Sequence, residues 1–200
     1  MEWRNIILRI SVVVTTYNGK MHLEKQLLSL LQQERAPDEV LIFDDGSTDG
    51  TIELVQSFIR KNCLESWQFY VNAKRKGWKQ NFMEGLRKAA GDILFPCDQD
   101  DIWYPKKLAE MTAVMEQHPE IKLLACDYRV LYEPGALKAT VYKKTPAETQ
   151  GLITRYGFTK HFFMNPYPGC TYAVRRDFFD AVKELWFDGS PHDEFLWLMA

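Results

Sequence analysis

The feature that most constrains the fold is a regular alternation of short apolar runs and helix-like segments. Residues 6–16 form a largely β-branched run, which predicts a buried strand, and leucines then recur at helical spacing over residues 23–31. The succession is repeated three times, with strands predicted at residues 40–43, 69–71 and 93–95 and helices at residues 52–59, 82–89 and 105–115. Four such units in about 115 residues are typical of an α/β protein with a mostly parallel, doubly wound sheet.

The ends of these helices and the rest of the chain give further predictions. Gly91 is predicted to cap the third helix, and Pro105 to lie in the first turn of the fourth. Residues 121–132 predict one long strand, 133–168 an irregular and mobile segment, and 168–186 a strand followed by a helix. The chain stops within the apolar helical pattern DEFLWLMA, so a longer parent protein is expected.

Polar clusters follow three of the predicted strands. They are TTYNG at residues 15–19, DDGSTDG at 44–50 and CDQDD at 97–101. Because ligands bind beyond the carboxyl ends of the strands in parallel sheets, the three clusters predict one site at that edge.

The cluster DDGSTDG is open to several interpretations. It suits a polar turn before a helix, with Gly46 and Gly50 giving backbone freedom. A calcium loop fits its first positions but fails at the twelfth, where Gln56 stands in place of a bidentate glutamate. The D-x-D-G-T pattern of a phosphatase nucleophile is absent from this cluster. An acidic pocket like that of a receiver domain is possible, but it would leave CDQDD without an explanation.

The cluster CDQDD predicts a cation site. In an extended segment Asp98 and Asp100 share a face, and two carboxylates on one side suit Mg²⁺ or Mn²⁺ bound together with substrate phosphates. Asp101 is interpreted as a cap for the following helix. The chain has no phosphate-binding G-x-x-x-x-G-K-[ST] loop and no G-x-G-x-x-G dinucleotide turn.

Charge and cysteine content narrow the classes of partner. The net charge of −2 argues against nucleic acid as a partner, because phosphate backbones require a basic surface. The four cysteines include no C-x-x-C pair, so we expect reduced thiols in a cytoplasmic protein, with Cys97 and Cys126 in core strands, rather than a zinc site.

Six segments, taken in order, resemble the family 2 glycosyltransferases, and in particular a bacterial branch similar to rhamnosyltransferases of surface-polysaccharide synthesis. They are SVVVTTYNG, LIFDDGSTDGT, NAKRKGWKQNF, GDILFPCDQDDIWYPKKL, PGCTYAVRR and HDEFLWLMA. The resemblance implies one GT-A catalytic domain over residues 1–200, with a nucleotide-binding half to about residue 120 and an acceptor-side half after it. It also implies a nucleotide-diphosphate sugar donor, a divalent metal ion, inversion at the sugar carbon, and a glycan or lipid-linked glycan acceptor at the inner face of the membrane. A segment beyond residue 200 would provide any peripheral membrane association.

Residue by residue, the resemblance implies a role for each of eight positions. Those that contact the donor are Thr16 and Tyr17 at the base and ribose, Asp45 at the base, Gly77 and Asn81 along the donor, and Asp98 near the ribose. Asp98 and Asp100 would hold Mn²⁺ or Mg²⁺, and Asp193 in HDEF would be the base that deprotonates the acceptor. Glu194 and Phe195 depart from the two tryptophans common in this branch, which affects the expected acceptor pocket.

Two alternatives from other classes remain. A catalytically silent module that binds nucleotide sugars or glycans would have little need of an acid at Asp193. A response-regulator-like domain would be phosphorylated at Asp44 or Asp45 and would not bind nucleotide sugars.

Overall fold

The computed structural model describes residues 7–132, 153–156, 165 and 167–200, and a six-stranded sheet runs through them. The strands are β1 (Ile10–Thr16), β2 (Glu39–Asp44), β3 (Trp67–Val71), β4 (Ile93–Asp98), β5 (Leu123–Ala125) and β6 (Tyr172–Arg175). Their order is β3-β2-β1-β4-β6-β5. The first four strands are mutually parallel, whereas β6 runs antiparallel to both β4 and β5. The predicted mostly parallel sheet is therefore confirmed.

Six α-helices and two 3-10 helices are seen in these ranges. They are α1 (Lys20–Leu31), α2 (Thr51–Lys61), α3 (Trp78–Lys88), α4 (Lys107–Gln117), the 3-10 helix Gly169–Thr171, α5 (Arg176–Val182), the 3-10 helix Lys183–Leu185, and α6 (His192–Met199). None of these helices is long and apolar enough to cross a membrane.

The sheet separates two apolar layers, because alternate side chains of a strand point to opposite faces. In β1, Val12 and Val14 join the layer formed with α1, α2 and α4, whereas Val13 joins the layer formed with α3, α5 and α6. Every residue of β1 and β2 is buried. This explains why both strands read as continuous apolar runs rather than as alternating patterns.

The register of the central strands brings the polar clusters together. Thr16 lies opposite Asp44 of β2, and Thr15 lies opposite Asp98 of β4. The three clusters that follow these strands therefore share one edge of the sheet, as predicted from the sequence.

The second part of the chain departs from the sequence prediction. Only Leu123–Ala125 forms a strand in the segment predicted as one long strand, and residues 126–132 have no regular structure. The reason is that β5 is an edge strand whose partner, β6, is four residues long. The irregular segment predicted at 133–168 lies for the most part outside the described residues.

Three local predictions were wrong. Helix α3 ends at the C-cap Ala89, and Gly91 instead packs against Ser11, whose backbone leaves no room for a side chain there. Pro105 lies before helix α4, whose N-cap is Lys106. Asp101 is therefore not the cap of that helix.

Candidate active site

The base of the site is organised by Asp44, which is fully buried at the end of β2. Its carboxylate accepts hydrogen bonds from the amides of Gly46 and Ser47, at 3.0 and 2.8 Å, and from the hydroxyls of Ser47 and Thr16, at 2.5 and 2.8 Å. Asp44 therefore shapes the DDGSTDG turn. Thr16, a predicted donor-binding residue, has its hydroxyl on Asp44 and is 2% exposed.

Asp45 holds the loop that precedes α3. Its carboxylate accepts hydrogen bonds from the amides of Lys76 (2.7 Å) and Gly77 (2.8 Å) and from the side-chain amide of Asn72 (3.0 Å). Asn72 also donates to Asn81 in α3, at 2.6 Å. The structure thus brings together three of the predicted donor-binding residues, Asp45, Gly77 and Asn81, and adds Asn72, which the sequence analysis missed.

Gly77 has a backbone conformation that favours glycine. Its φ of +87° lies in a region that residues with a side chain rarely adopt, although the space around it is open. The conformation turns the amides of Lys76 and Gly77 toward Asp45, which explains why glycine is needed there.

Tyr17 lies at the open mouth of this region. Its ring is 37% exposed and is covered by the guanidinium of Arg75, 3.9 Å from the ring centre, while the Arg75 side chain also lies 3.8 Å from Asp45. The backbone of Tyr17 is held by Gln99, which accepts from its amide at 2.9 Å and donates to its carbonyl at 3.3 Å. Arg75 and Gln99 are functional candidates that the sequence analysis missed, although both lie inside the quoted motifs.

An acidic cluster follows β4. One ligand atom from each of Asp98, Asp101 and Cys170 can be chosen so that the three lie within 4.8 Å of one another. The extended segment assumed for Asp98 and Asp100 is not observed, because β4 ends at Asp98 and the chain turns at residues 99–100. Asp100 is exposed at this turn, so its predicted role as a metal ligand no longer follows from strand alternation.

The electrostatics of this cluster suit a cation. Burial raises the pKa of Asp98 to about 7, and the negative charges of Asp101, Asp100 and Asp193 add to this effect. Burial also raises the pKa of Asp101, whose Oδ2 atom is buried without a hydrogen-bond partner among the described residues. Crowded carboxylates with an unpartnered oxygen fit a divalent ion such as Mg²⁺ or Mn²⁺, which binds oxygen ligands.

A lysine lies on the inner side of the same cluster. The ammonium group of Lys107 is 3.6 Å from the ring centre of Trp103 and donates a hydrogen bond to the carbonyl of Cys170. Burial lowers the pKa of Lys107, and the negative charge of Asp101 opposes this effect. The motif YPKKL, which contains this lysine, offered no signal that its side chain turns inward.

Asp193 faces the acidic cluster from another element. It lies in the first turn of α6, where Pro191 is the N-cap. Its charge contributes to the raised pKa of Asp98, although the two residues are far apart in sequence. The 3-10 helix beside Asp193 begins at Gly169, where an added Cβ would lie 3.1 Å from the Cβ of Asp193.

His192 is enclosed next to Asp193. Its ring stacks on Phe82 with centroids 4.0 Å apart and meets Trp78 edge-on at 5.8 Å. Burial lowers its pKa to about 4, so the ring is neutral near neutral pH. Neither ring nitrogen has a hydrogen-bond partner in the described part of the chain. The packing suits a residue that positions α6 against α3.

A mostly parallel sheet with polar clusters along one edge and an acidic cluster after β4 agrees with the GT-A class of sugar-transferase folds. A profile of glycosyl transferase family 2 matches residues 11–180, and the chain belongs to that family. The resemblance seen in the sequence is therefore confirmed at the level of family and fold.

Similar proteins include bacterial transferases. The chain is 30% identical over 155 residues to the poly(ribitol-phosphate) beta-N-acetylglucosaminyltransferase TarS of Staphylococcus aureus, covering 76% of this chain and 26% of TarS. It is 24% identical over 202 residues to the dTDP-rhamnosyl transferase RfbG of Shigella flexneri, covering 94% of this chain and 64% of RfbG. The chain thus spans less than two thirds of the length of these relatives.

Solved structures show the same fold. The crystal structure of residues 1–349 of S. aureus TarS aligns with a TM-score of 0.71 and 21% identity over 96% of this chain and 55% of that one. The mannosyltransferase PcManGT of Pyrobaculum calidifontis, solved with GDP-Man and Mn²⁺, aligns with a TM-score of 0.64 and 20% identity, over 88% of this chain and 46% of that one.

Proposed function

We propose that this chain is the catalytic domain of an inverting glycosyltransferase. It would move a sugar from a UDP- or dTDP-sugar, dTDP-rhamnose included, to a hydroxyl of a cell-surface polysaccharide or of its lipid-linked precursor. The observation that carries the proposal is that Asp45 and Asp98 lie at the same edge of the sheet, at the ends of β2 and β4, and that the charge of Asp193 acts on Asp98. The names of TarS and RfbG, and a TarS structure with UDP-GlcNAc, support this class of donor.

The nucleotide would lie between Tyr17 and the loop held by Asp45. Tyr17 and Arg75 offer flat surfaces for a base, and the Asp45 carboxylate offers a hydrogen-bond acceptor. A carboxylate can accept from the N3–H of uracil or thymine, whereas adenine has no matching donor. This pairing favours a pyrimidine nucleotide.

Asp98 and one of the acids that follow it would hold Mg²⁺ or Mn²⁺ next to the diphosphate. A bound divalent ion would neutralise charge that develops on the leaving diphosphate. Asp98 would be one ligand, and the second would be Asp100, as the motif predicts, or Asp101, which lies in the cluster. Matched Asp100→Asn and Asp101→Asn variants separate these assignments, because only loss of a ligand should weaken Mn²⁺ binding strongly.

Asp193 would act as the base. As the acceptor oxygen forms its bond to the anomeric carbon, the bond from that carbon to the diphosphate breaks and the hydroxyl proton passes to the carboxylate. Attack from the face opposite the leaving group inverts the configuration, as in inverting glycosidases.

Calorimetry on the purified chain tests the donor and the metal together. We expect UDP or dTDP to bind in the presence of Mn²⁺ and to bind far more weakly in EDTA. Equal affinity under both conditions would rule out metal-dependent donor binding. No binding of any nucleoside diphosphate would contradict the proposed function as a whole.

A further inference from the structure

A partly buried cation lies close to the acidic cluster and takes no part in the reaction as outlined above. Lys107, the first residue of α4, extends inward so that its ammonium group lies over the ring of Trp103 at 3.6 Å. Burying an ammonium group costs free energy unless other charges or dipoles compensate for it. Groups around Lys107 must therefore compensate for its charge.

The carbonyl of Cys170 and the ring of Trp103 compensate for part of this cost, and the nearby negative charge of Asp101 adds to them. The positive charge of Lys107 lowers the pKa values of both Asp98 and Asp101, in opposition to the burial that raises them. Without a divalent ion, these carboxylates would repel each other across a site that is largely shielded from water. Lys107 supplies a positive charge that stays in place when no ion or diphosphate is bound.

The same ammonium group connects the acids to the opposite side of the site. It donates to the carbonyl of Cys170, in the 3-10 helix Gly169–Thr171 that packs on the first turn of α6. At Gly169 the approach to α6 is so close that an added Cβ would lie 2.5 Å from His192 Nε2. A continuous chain of contacts therefore runs from the ammonium group to the helix that bears Asp193.

We propose that Lys107 is a positioning residue: its ammonium group is a fixed counter-cation for Asp98 and Asp101 and holds the Gly169–Thr171 helix, and with it Asp193, in place. The inference rests on the proposed function, because it concerns the spacing between the donor acids and the base. It predicts that Lys107 opposes metal binding slightly while keeping the empty site in its working geometry.

The test compares Lys107→Met and Lys107→Arg with a matched control, Lys122→Met. Lys122 is an exposed lysine whose ammonium group lies 5.8 Å from the ring centre of Phe178 and 3.4 Å from the carbonyl of Ala200, at the end of α6 opposite Asp193. Hydrogen exchange without any ligand should become at least about tenfold faster in residues 169–171 and 192–195 of K107M, but not in the control. K107R, which keeps the charge and a donor, should restore most of the protection.

Titration with Mn²⁺ alone provides a second measurement, the affinity for the metal ion. Removing a monovalent cation close to a bound divalent ion, with water-like screening, should tighten Mn²⁺ binding by roughly three- to tenfold in K107M. K107R and K122M should bind as the wild type does. A lysine that only packed against Trp103 would leave Mn²⁺ affinity unchanged.

The inference is wrong if K107M matches K122M both in exchange and in Mn²⁺ affinity. If K107M does not fold, K107Q, which can still donate to Cys170, allows the same comparison of Mn²⁺ affinity. A wild-type protein that binds neither Mn²⁺ nor UDP would contradict the proposed function instead. The ligand-free exchange data would still decide whether Lys107 holds the 3-10 helix.

Discussion

Gly169 is the position where one added methyl group should slow sugar transfer strongly while the protein still folds. An added Cβ would lie 2.5 Å from His192 Nε2, 3.2 Å from His192 Cε1 and 3.1 Å from Asp193 Cβ. The first distance is about 1 Å shorter than an ordinary contact of ~3.5 Å between heavy atoms. In Gly169→Ala the first turn of α6 must therefore move away from the 3-10 helix.

The cost can be estimated from that displacement. Overpacking of this kind destabilises a protein by roughly 1–3 kcal/mol, which for a domain of this size lowers the melting temperature by roughly 2–12 °C. A base displaced by about 1 Å loses on the order of 10² in rate. Full-length Gly169→Ala protein should therefore bind UDP or dTDP normally with Mn²⁺ but transfer sugar about a hundredfold more slowly.

A second glycine provides the matched control. At Gly91 an added Cβ would lie 2.5 Å from the hydroxyl of Ser11 and 2.7 Å from its amide, at the end of β4 remote from Asp98. Gly91→Ala should lower the melting temperature comparably while the folded enzyme keeps its turnover. Transfer by Gly169→Ala within a few-fold of wild type, at equal folded fraction, would refute the reasoning about Asp193.

Three further predictions concern the acids. Asp193→Asn should reduce transfer by roughly 10² or more with unchanged nucleotide affinity, since asparagine cannot take the proton; a loss of only a few-fold would shift attention to Glu194. Asp45→Ala should cost nucleotide binding roughly 1.5–3 kcal/mol, and wild-type protein should prefer UDP and dTDP in competition with ADP and GDP; tighter ADP binding would exclude this assignment. The pKa of Asp98 is raised from 3.8 to about 7, so its protonation stabilises the ligand-free fold fully below about pH 4, and this stability is lost as the pH rises through 7. Melting temperatures from pH 4 to 8 should show this loss in the wild type but not in Asp98→Asn, and Mn²⁺ affinity should rise over the same range; identical profiles for the two proteins would contradict it.

The sequence alone determined the order of the elements and the edge of the sheet that carries the site. Strands buried on both faces, such as β1 and β2, must be apolar throughout, and helices packed on one side repeat their apolar residues every three or four positions. Both are local patterns, so they can be read without knowing the fold. The same holds for the polar clusters, since each directly follows its strand.

The sequence was less informative where an element depends on a distant partner. Residues 121–132 have the composition of a strand, yet only Leu123–Ala125 pairs with β6, from which about 45 residues separate it in the chain. Strand pairing of this kind is set by the length of the partner and not by the apolar content of the segment itself.

The chemistry of the site was decided by the tertiary structure. Asp98 and Asp101 meet Cys170, and Lys107 reaches a carbonyl 63 positions away, because β6 inserts beside β4 and brings the 3-10 helix against the acids. Sequence motifs identified Asp98 and Asp193 as candidates. They did not indicate Lys107, which lies near the acids, or Gly169, which packs against Asp193. Electrostatic energy depends on the distances between charges and on their burial, and both are defined only once the strands have paired.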